Sequence, residues 1–146
     1  MKAVVQRVAR ASVTIDGNCC SEIEQGLLVL LGVEQDDDVS TAEKLAAKLL
    51  KFRIFSDQDG KMNWNISDVG GSLLVVSQFT LAATTGQGNR PGFSSAAAPV
   101  LAESLYEHFV TVLRRADAVP VKTGVFAADM QVSLLNDGPV TFTFDV

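Results

Sequence analysis

The chain has few of the residues that carry the commonest catalytic chemistry. Its 146 residues include one histidine, His108, and two cysteines, Cys19 and Cys20, which are adjacent. A Ser-His-Asp or Cys-His device needs an imidazole beside a nucleophile, and nothing in the sequence places a nucleophile beside His108. One histidine and a vicinal cysteine pair also lack the ligand spacing of a tetrahedral zinc site. We therefore expect no catalytic imidazole, no metal and no cofactor.

Long apolar runs and low-complexity segments are also missing. The longest apolar run, Gly26 to Val33, has eight residues, less than half of the roughly 20 that a bilayer-spanning helix needs. Hydrophobic residues make up 47% of the chain, with 11 glycines and four prolines, which excludes disorder and collagen-like repeats. The N-terminal segment lacks the apolar core of a signal peptide. These features predict one cytoplasmic globular domain, residues 1–146, with no membrane contact.

Positive charge is in deficit. Twelve Lys and Arg against 17 Asp and Glu give a net charge of -5, so the chain as a whole should repel a polyanion. Basic side chains are nevertheless grouped locally, since Lys44, Lys48 and Lys51 recur at helical spacing. These three lysines form either a solvated face or a local basic patch that could contact a polyanion. Other basic residues that could serve in such a contact are Arg90, Arg114, Arg115 and Lys122.

Val- and Ile-rich segments predict a sheet. Lys2 to Val8 and Ser12 to Ile15 read as two strands ahead of a Gly17-Asn18 turn. Gly26 to Val33 and Ser72 to Gln78 are continuously apolar, which is typical of strands buried on both faces, and the first should be central. A short strand is expected from Arg53 to Phe55.

The C-terminal region predicts a hairpin. Met130 to Leu135 and Val140 to Val146 are strand-like and flank Asn136-Asp137-Gly138-Pro139. That four-residue segment is dense in turn-forming residues. We therefore expect the two flanking strands to pair with each other.

Two segments show helical periodicity. Ser40 and Glu43 form a capping box ahead of a helix from about Thr41 to Lys51. Pro99 suits the first position of a second helix, whose apolar stripe continues to about Arg115. Residues 82–98 form the one long loop. Many strands with only two main helices favour a single-domain α+β fold, with a mixed or barrel-like sheet, over a doubly wound α/β fold.

Polar residues interrupt the apolar strands at two places. Ser77, Gln78, Phe79 and Thr80 close one buried strand, and the segment 136–139 opens the last strand. Loops at strand ends often carry function. A strand end and a hairpin turn without any function would have the same sequence pattern. Composition and periodicity therefore leave open whether these segments are structural or form a functional site.

These two segments resemble the signature motifs of the D-aminoacyl-tRNA deacylases, which look like SQFTL and N-x-G-P-V-T. Here the motifs are Ser77 to Leu81 and Asn136 to Thr141. The resemblance runs in order from MKAVVQRV through LLVLLGVE, RIFSD and GKMN to FAADMQVSLLNDGPVTF, which is essentially the whole chain. It implies a homodimeric cytoplasmic hydrolase that splits the ester between a D-amino acid, or glycine, and the terminal adenosine of tRNA.

The resemblance also implies a hydrolytic centre without a triad. Ser77, Gln78, Phe79 and Thr80 would line it, with backbone N–H groups near Phe79 and Thr80 binding the carbonyl oxygen. Each such preorganised donor contributes roughly 3 to 4 kcal/mol. Thr80 has been considered a nucleophile in the family, but without a base beside its hydroxyl we favour an orienting role.

Gly138 and Pro139 match the family's chirality motif, a cis Gly-Pro bond inserted from one subunit into the other's active site. Its main-chain oxygens would exclude an L side chain, whereas glycine has none to exclude. Asn136 is well suited to fix the turn through side-chain to backbone hydrogen bonds, and by the resemblance Arg7 would support the motif. Met130 would form a wall for the terminal adenine, or it is simply a buried strand methionine.

Two rival functions remain open at this stage. A related deacylase would edit an L-aminoacyl-tRNA through a trans Gly-Pro bond. A non-enzymatic RNA-binding or small-ligand module would use the same scaffold without hydrolysis. The intact SQFTL segment argues against the second rival.

Overall fold

Two helices pack against a mixed, nearly closed, barrel-like sheet, as the composition of elements predicted. The computed structural model describes residues 1–86 and 88–146. The strands are β1 (Lys2–Ile15), β2 (Asn18–Ile23), β3 (Gly26–Gly32), β4 (Phe55–Ser56), β5 (Met62–Trp64), β6 (Ser72–Ser77), β7 (Val121–Thr123) and β8 (Gln131–Asp145). The helices are α1 (Val39–Lys51) and α2 (Pro99–Arg115), and a single 3-10 turn spans Phe79–Ala82.

The two continuously apolar strands lie at the centre of the sheet. The order is β2-β1-β3-β6-β7, and β8 runs along the other edge of β1. β3 pairs in parallel with β6, and β6 in parallel with β7, whereas the partners of β1 are antiparallel. β1 pairs with β3 through its first half and with β2 through its second half. The predicted central position of the Gly26 to Val33 segment is confirmed.

Both faces of the central strands are buried because two apolar clusters lie on opposite sides of the sheet. Val29 and Val75 belong to the first cluster, in which they pack with Leu49 of α1 and Phe109 of α2. Leu28 and Leu74 alternate with them and belong to the second cluster. Alternate residues of one strand point to opposite faces, so burial on both sides requires the unbroken apolar sequence of β3 and β6.

The predicted C-terminal hairpin is wrong. Both segments belong to the single strand β8, and both pair with β1, as in Val13 with Val132 and Val5 with Phe142. The ladder is interrupted where the register shifts between Asn136 and Thr141. β1 is itself one 14-residue strand rather than two, so its long edge satisfies both halves of β8. The turn-forming residues therefore make an irregularity in a strand and not a reversal of the chain.

The start of α1 also differs from the capping-box prediction. The N-cap is Asp38, whose carboxylate accepts hydrogen bonds from the Thr41 backbone N–H at 2.8 Å and the Thr41 hydroxyl at 2.9 Å. These bonds lower the pKa of Asp38. Ser40 lies inside the first turn, because the aspartate two residues earlier is an equally good cap.

The remaining boundaries are close to the predictions. α2 begins at Pro99 and ends at Arg115, as expected. The short strand predicted from Arg53 to Phe55 is Phe55–Ser56, which pairs with Met62–Trp64. No helix in the two described stretches is long and apolar enough to cross a membrane.

Candidate active site

A cavity of about 500 Å3 opens where β3 and β6 end. Five parts of the chain meet there: the ends of both strands, the 3-10 turn, the start of α2 and the segment that leads into β8. The predicted residues Ser77, Gln78, Phe79 and Met130 all line it. The other residues that line it are Leu31, Val33, Val76, Ala97, Pro99, Ala102, Tyr106, Phe126, Ala127, Ala128, Asp129 and Val132.

The backbone of the SQFT segment turns sharply at the end of β6. Ser77 is the last residue paired with β3, opposite Leu31, and the Gln78 N–H still donates to the Leu31 carbonyl at 2.7 Å. The 3-10 turn then begins, and the first N–H groups of such a turn have no partner within it. Within residues 1–86 and 88–146, neither Phe79 nor Thr80 donates a backbone–backbone hydrogen bond. Two adjacent donors are therefore available beside the cavity.

Thr80 has an amide for a neighbour and not a base. The Gln78 Nε2 donates to the Thr80 Oγ1 at 2.6 Å, and both side chains are solvent-accessible. An amide nitrogen does not take a proton from a hydroxyl. This arrangement orients the Thr80 hydroxyl, leaving its proton free to be donated.

Aromatic side chains that the sequence analysis did not single out complete the cavity. Phe126 lines it beside Met130, and the Phe126 ring lies 5.8 Å from that of Tyr106. Phe126 falls within the FAADMQVSLLN stretch that carried the resemblance, so its signal was present in the sequence. Met130 packs against the second core cluster while it lines the cavity, so the wall and core interpretations of Met130 are compatible.

Tyr106 of α2 holds the end of β6 through a buried hydrogen bond. Its hydroxyl donates to the Val75 carbonyl at 3.0 Å, and the ring is 5% exposed. Burial raises the pKa of Tyr106 to about 12. The neutral phenol is therefore the form that holds the strand, two residues before Ser77.

Arg7 organises the second group of predicted residues. Its Nη1 donates to the Ile54 carbonyl at 2.9 Å, and its Nε donates to the Asp137 carbonyl at 3.0 Å. The Asp137 carboxylate lies 3.3 Å from the same Nε. Arg7 is 9% exposed, so it joins β1, the β4 region and β8 in a mostly buried position.

The Asn136 to Pro139 segment is held by its own side chain and by Arg7. The Asn136 Oδ1 accepts from the Val140 N–H at 3.1 Å, and its Nδ2 donates to the Thr141 hydroxyl at 3.2 Å. The Gly138–Pro139 bond is cis. Gly138 has a φ of +136°, and a Cβ there would lie 2.5 Å from Val140 Cγ2. Glycine is required because any larger residue would collide with the strand.

The two groups of residues are separate within one chain. Arg7 pairs with Leu27, and Ser77 pairs with Leu31 two strands away. Ordinary strand spacings place the Cα atoms of Arg7 and Ser77 roughly 16 Å apart. Gly138 and Pro139 lie on β8, beyond β1, and neither lines the cavity. The structure thus groups Ser77, Gln78, Phe79 and Met130 at the cavity, with Thr80 following Phe79 but not lining it. Arg7, Asn136, Gly138 and Pro139 form a separate group.

The other chemistry-bearing side chains lie elsewhere. His108 Nε2 is 3.2 Å from Glu43 Oε1, where α2 packs against α1. Cys19 and Cys20 are exposed free cysteines on β2. No group of three or more His, Cys, Asp or Glu side chains suited to a metal ion occurs in the described part of the chain.

The sequence profile of the D-Tyr-tRNA(Tyr) deacylase family matches residues 4–145. The chain belongs to this family. It is 64% identical to a D-aminoacyl-tRNA deacylase of Shewanella amazonensis over 146 residues, which is 100% of both chains. It is 60% identical to a D-aminoacyl-tRNA deacylase of Citrobacter koseri, again over 100% of both. The resemblance found in the SQFTL and NDGPVT segments is confirmed.

Solved structures have the same fold as this family member. The c-Myc DNA unwinding element binding protein superposes with a TM-score of 0.95 and 42% identity, covering 100% of this chain and 99% of the other. A probable eukaryotic D-amino acid tRNA deacylase gives a TM-score of 0.88 at 16% identity, covering 99% and 98%. At that identity the second comparison concerns the fold alone.

Proposed function

We propose that this chain hydrolyses the ester bond of D-aminoacyl-tRNA, releasing the D-amino acid and free tRNA. The observation that carries the proposal is the cavity at the end of β6, which Ser77, Gln78, Phe79 and Met130 line. Beside it, the Phe79 and Thr80 N–H groups donate to no backbone carbonyl of the described residues. Membership of the deacylase family and the names of relatives at 60% identity or more support it.

The proposed mechanism depends on positioning and on backbone donors. Water attacks the acyl carbon, and the carbonyl oxygen becomes an oxyanion that the Phe79 and Thr80 N–H groups stabilise. The ribose oxygen then leaves with a proton, and the substrate's own vicinal hydroxyl helps to deliver it. An aminoacyl ester is an activated acyl group, so the activation free energy of its hydrolysis is modest. Orientation lowers that barrier by several kcal/mol, and each backbone donor lowers it by roughly 3 to 4 kcal/mol. Met130 and Phe126 form the walls for the terminal adenine.

Selection against L-amino acids is proposed to come from a second subunit. Gly138 and Pro139 do not line the cavity of their own chain, and they would enter the partner's cavity in a homodimer. The Arg7 guanidinium fixes the carbonyl of Asp137 directly before the motif. Main-chain oxygens held in this way would exclude an L side chain, and D side chains would project away. Glycine has no side chain to exclude, so glycyl-tRNA is also proposed as a substrate.

The net charge of -5 is compatible with a tRNA substrate if the enzyme holds only the acceptor end. Few phosphate contacts are then needed, and weak binding favours turnover. The candidate contacts are the basic groups predicted from the sequence, with Lys44, Lys48 and Lys51 on one face of α1.

A deacylation assay on D-tyrosyl-, L-tyrosyl- and glycyl-tRNA tests the proposal. We expect hydrolysis of the D-tyrosyl and glycyl esters and little hydrolysis of the L-tyrosyl ester. Equal hydrolysis of all three, or none, would overturn it. Selective hydrolysis of the L-tyrosyl ester would favour the rival L-editing deacylase, and RNA binding without hydrolysis would favour the binding module.

A further inference from the structure

A second concavity lies at a glycine-containing loop that follows the 3-10 turn of the candidate active site. Its volume is about 560 Å3, and Thr84, Thr85, Gly86, Arg90 and Gly92 line it. We call it the Arg90 concavity. Thr84 and Gly92 close the loop by exchanging two backbone hydrogen bonds of 2.9 and 3.0 Å. A Cβ on Gly92 would lie 2.7 Å from the Thr84 Oγ1, so this closure requires glycine.

The loop is attached to the hydrolytic segment. The rings of Phe79 and Phe93 are 5.1 Å apart, and the Ser95 hydroxyl donates to the carbonyl of Ala82 at the end of the 3-10 turn. Thr84 follows Thr80 by four residues, which span at most about 14 Å. A ligand bound at the proposed oxyanion donors therefore needs only a short extension to reach the Arg90 concavity.

The sequence around this loop carries a positive charge, whereas the whole chain has a net negative charge. Residues 69–102 contain no Asp or Glu, and Arg90 is their only charged residue. Arg90 is exposed, and it takes part in none of the salt bridges found within 1–86 and 88–146. A guanidinium presents paired N–H donors that match two oxygens of a phosphate. The Thr85 hydroxyl adds a neutral donor beside it, whereas the Thr84 hydroxyl donates to the Gly92 carbonyl at 3.4 Å and helps to close the loop.

We propose that Arg90, with Thr85, binds a phosphodiester of the RNA strand that carries the aminoacyl group. The inference rests on the proposed function and identifies where the substrate's RNA is held. An RNA strand is favoured over free phosphate because two aromatic rings adjoin the site. Phe79 is 60% exposed and Phe93 is 40% exposed, and such rings stack with the bases of single-stranded RNA.

The first test compares two substrates that differ in phosphates. D-tyrosyl-tRNA contains the strand, whereas the D-tyrosyl ester of adenosine has the same ester and no phosphate. We expect Arg90→Ala to raise the KM for the tRNA substrate about tenfold, and its dependence on log salt to fall by about 0.7, the contribution of one single-strand phosphate. Its rate on the adenosine ester should be unchanged. Arg90→Lys should recover part of the effect, and the exposed Arg53→Ala serves as the control.

Equal losses on the two substrates would overturn the proposal, because Arg90 would then act on the chemistry or the fold. So would an unchanged KM for tRNA. A second measurement does not depend on hydrolysis: fluorescence anisotropy of an uncharged RNA stem-loop with a single-stranded 3′ tail. We expect weaker binding by Arg90→Ala and wild-type binding by Arg53→Ala. Equal binding by all three proteins would refute the site, whereas inactivity of the wild type on both esters would refute only the deacylase.

Discussion

Three side chains have separable roles at the scale of single residues. Arg7 donates to carbonyls from two distant parts of the chain, and Tyr106 donates to the Val75 carbonyl of β6. The Thr80 hydroxyl oxygen accepts from the Gln78 side chain. Arg7 and Tyr106 are buried, so we expect their replacement to change the free energy of unfolding. The proposed role of Thr80 is in catalysis, and its neighbour Gln78, which is not a base, argues against a nucleophilic hydroxyl.

Replacing Arg7 should destabilise the protein. Arg7→Ala leaves the Ile54 and Asp137 carbonyls without their charged donor, and bonds of this kind contribute about 1.5 to 3 kcal/mol each. We expect the free energy of unfolding, measured by urea denaturation, to fall by about 3 kcal/mol. Arg10→Ala is the control, since Arg10 lies on the same strand and is exposed. Equal stability of both variants would contradict a structural role for Arg7.

Tyr106 should make stability fall at alkaline pH. Burial raises its pKa to about 12, from 10.0, so the folded state prefers the neutral phenol. This contribution is complete below pH 10 and is lost between pH 10 and about 12. Tyr106 is the only tyrosine, so phenolate absorbance follows it alone. Tyr106→Phe should lose about 1 kcal/mol at neutral pH and show a flatter alkaline profile; a folded-state titration at pH 10 would contradict this.

Thr80 should not be a nucleophile. Thr80→Ala removes the bond to Gln78 but leaves both backbone donors, so we expect less than a hundredfold loss in kcat, about 2.7 kcal/mol. His108→Ala should retain wild-type activity, because His108 contacts Glu43 on α1. A loss above about a thousandfold, roughly 4 kcal/mol, with tRNA binding intact would favour a covalent route through Thr80.

The central strands position the site at the scale of elements. β3 and β6 are in parallel register from Gly26 opposite Ser72 to Leu31 opposite Ser77. The pairing register that begins at Gly26 therefore determines that β6 ends at Ser77, just before the 3-10 turn begins. The two strands lie so close at Gly26 that a side chain has no room.

Gly26→Ala should test this close approach. A Cβ would lie 1.9 Å from the Ser72 carbonyl oxygen, so β3 and β6 would have to separate at the start of their ladder. Overpacking of this kind costs about 1 to 3 kcal/mol, measurable by urea denaturation. Gly86→Ala is the matched control, because nothing lies within 4 Å of its Cβ position. Wild-type stability of Gly26→Ala would show that the ladder shifts freely.

At the scale of the whole molecule, β8 presents an uncovered edge. It is the outer strand beside β1, and its exposed apolar residues include Leu134, Leu135 and Phe142. Long exposed edge strands with apolar side chains promote association. The same strand contains Gly138 and Pro139, so one interface would bury the apolar surface and deliver the motif to a partner.

The chain should therefore be a homodimer of about twice 15.6 kDa by light scattering. Leu135→Glu should produce a monomer that has lost its D over L selectivity, because a charge at that edge opposes close pairing. Val39→Glu places the same charge on an exposed position of α1 and should leave the dimer intact. A stable monomeric wild type with full selectivity would refute the cross-subunit motif.

The sequence alone determined the elements whose signals are local. Apolar periodicity predicted both helices, continuous apolarity identified β3 and β6, and the SQFTL and NDGPVT segments indicated the family. These patterns report burial and turn chemistry within a few residues, so no tertiary knowledge is needed to interpret them. The prediction of Ser77, Gln78, Phe79 and Met130 as neighbours came from the family resemblance, and the cavity unites them.

Tertiary structure decided the features that depend on distant partners. β8 pairs along β1 rather than with itself because β1 offers an unbroken edge, a fact that turn residues at 136–139 do not encode. Tyr106 and Phe126 reach the cavity from elements that only the fold brings to β6. The Arg90 concavity forms because Thr84 and Gly92 bond across a loop. Each depends on contacts between residues far apart in sequence, whose geometry is set by the packed sheet and not by local pattern.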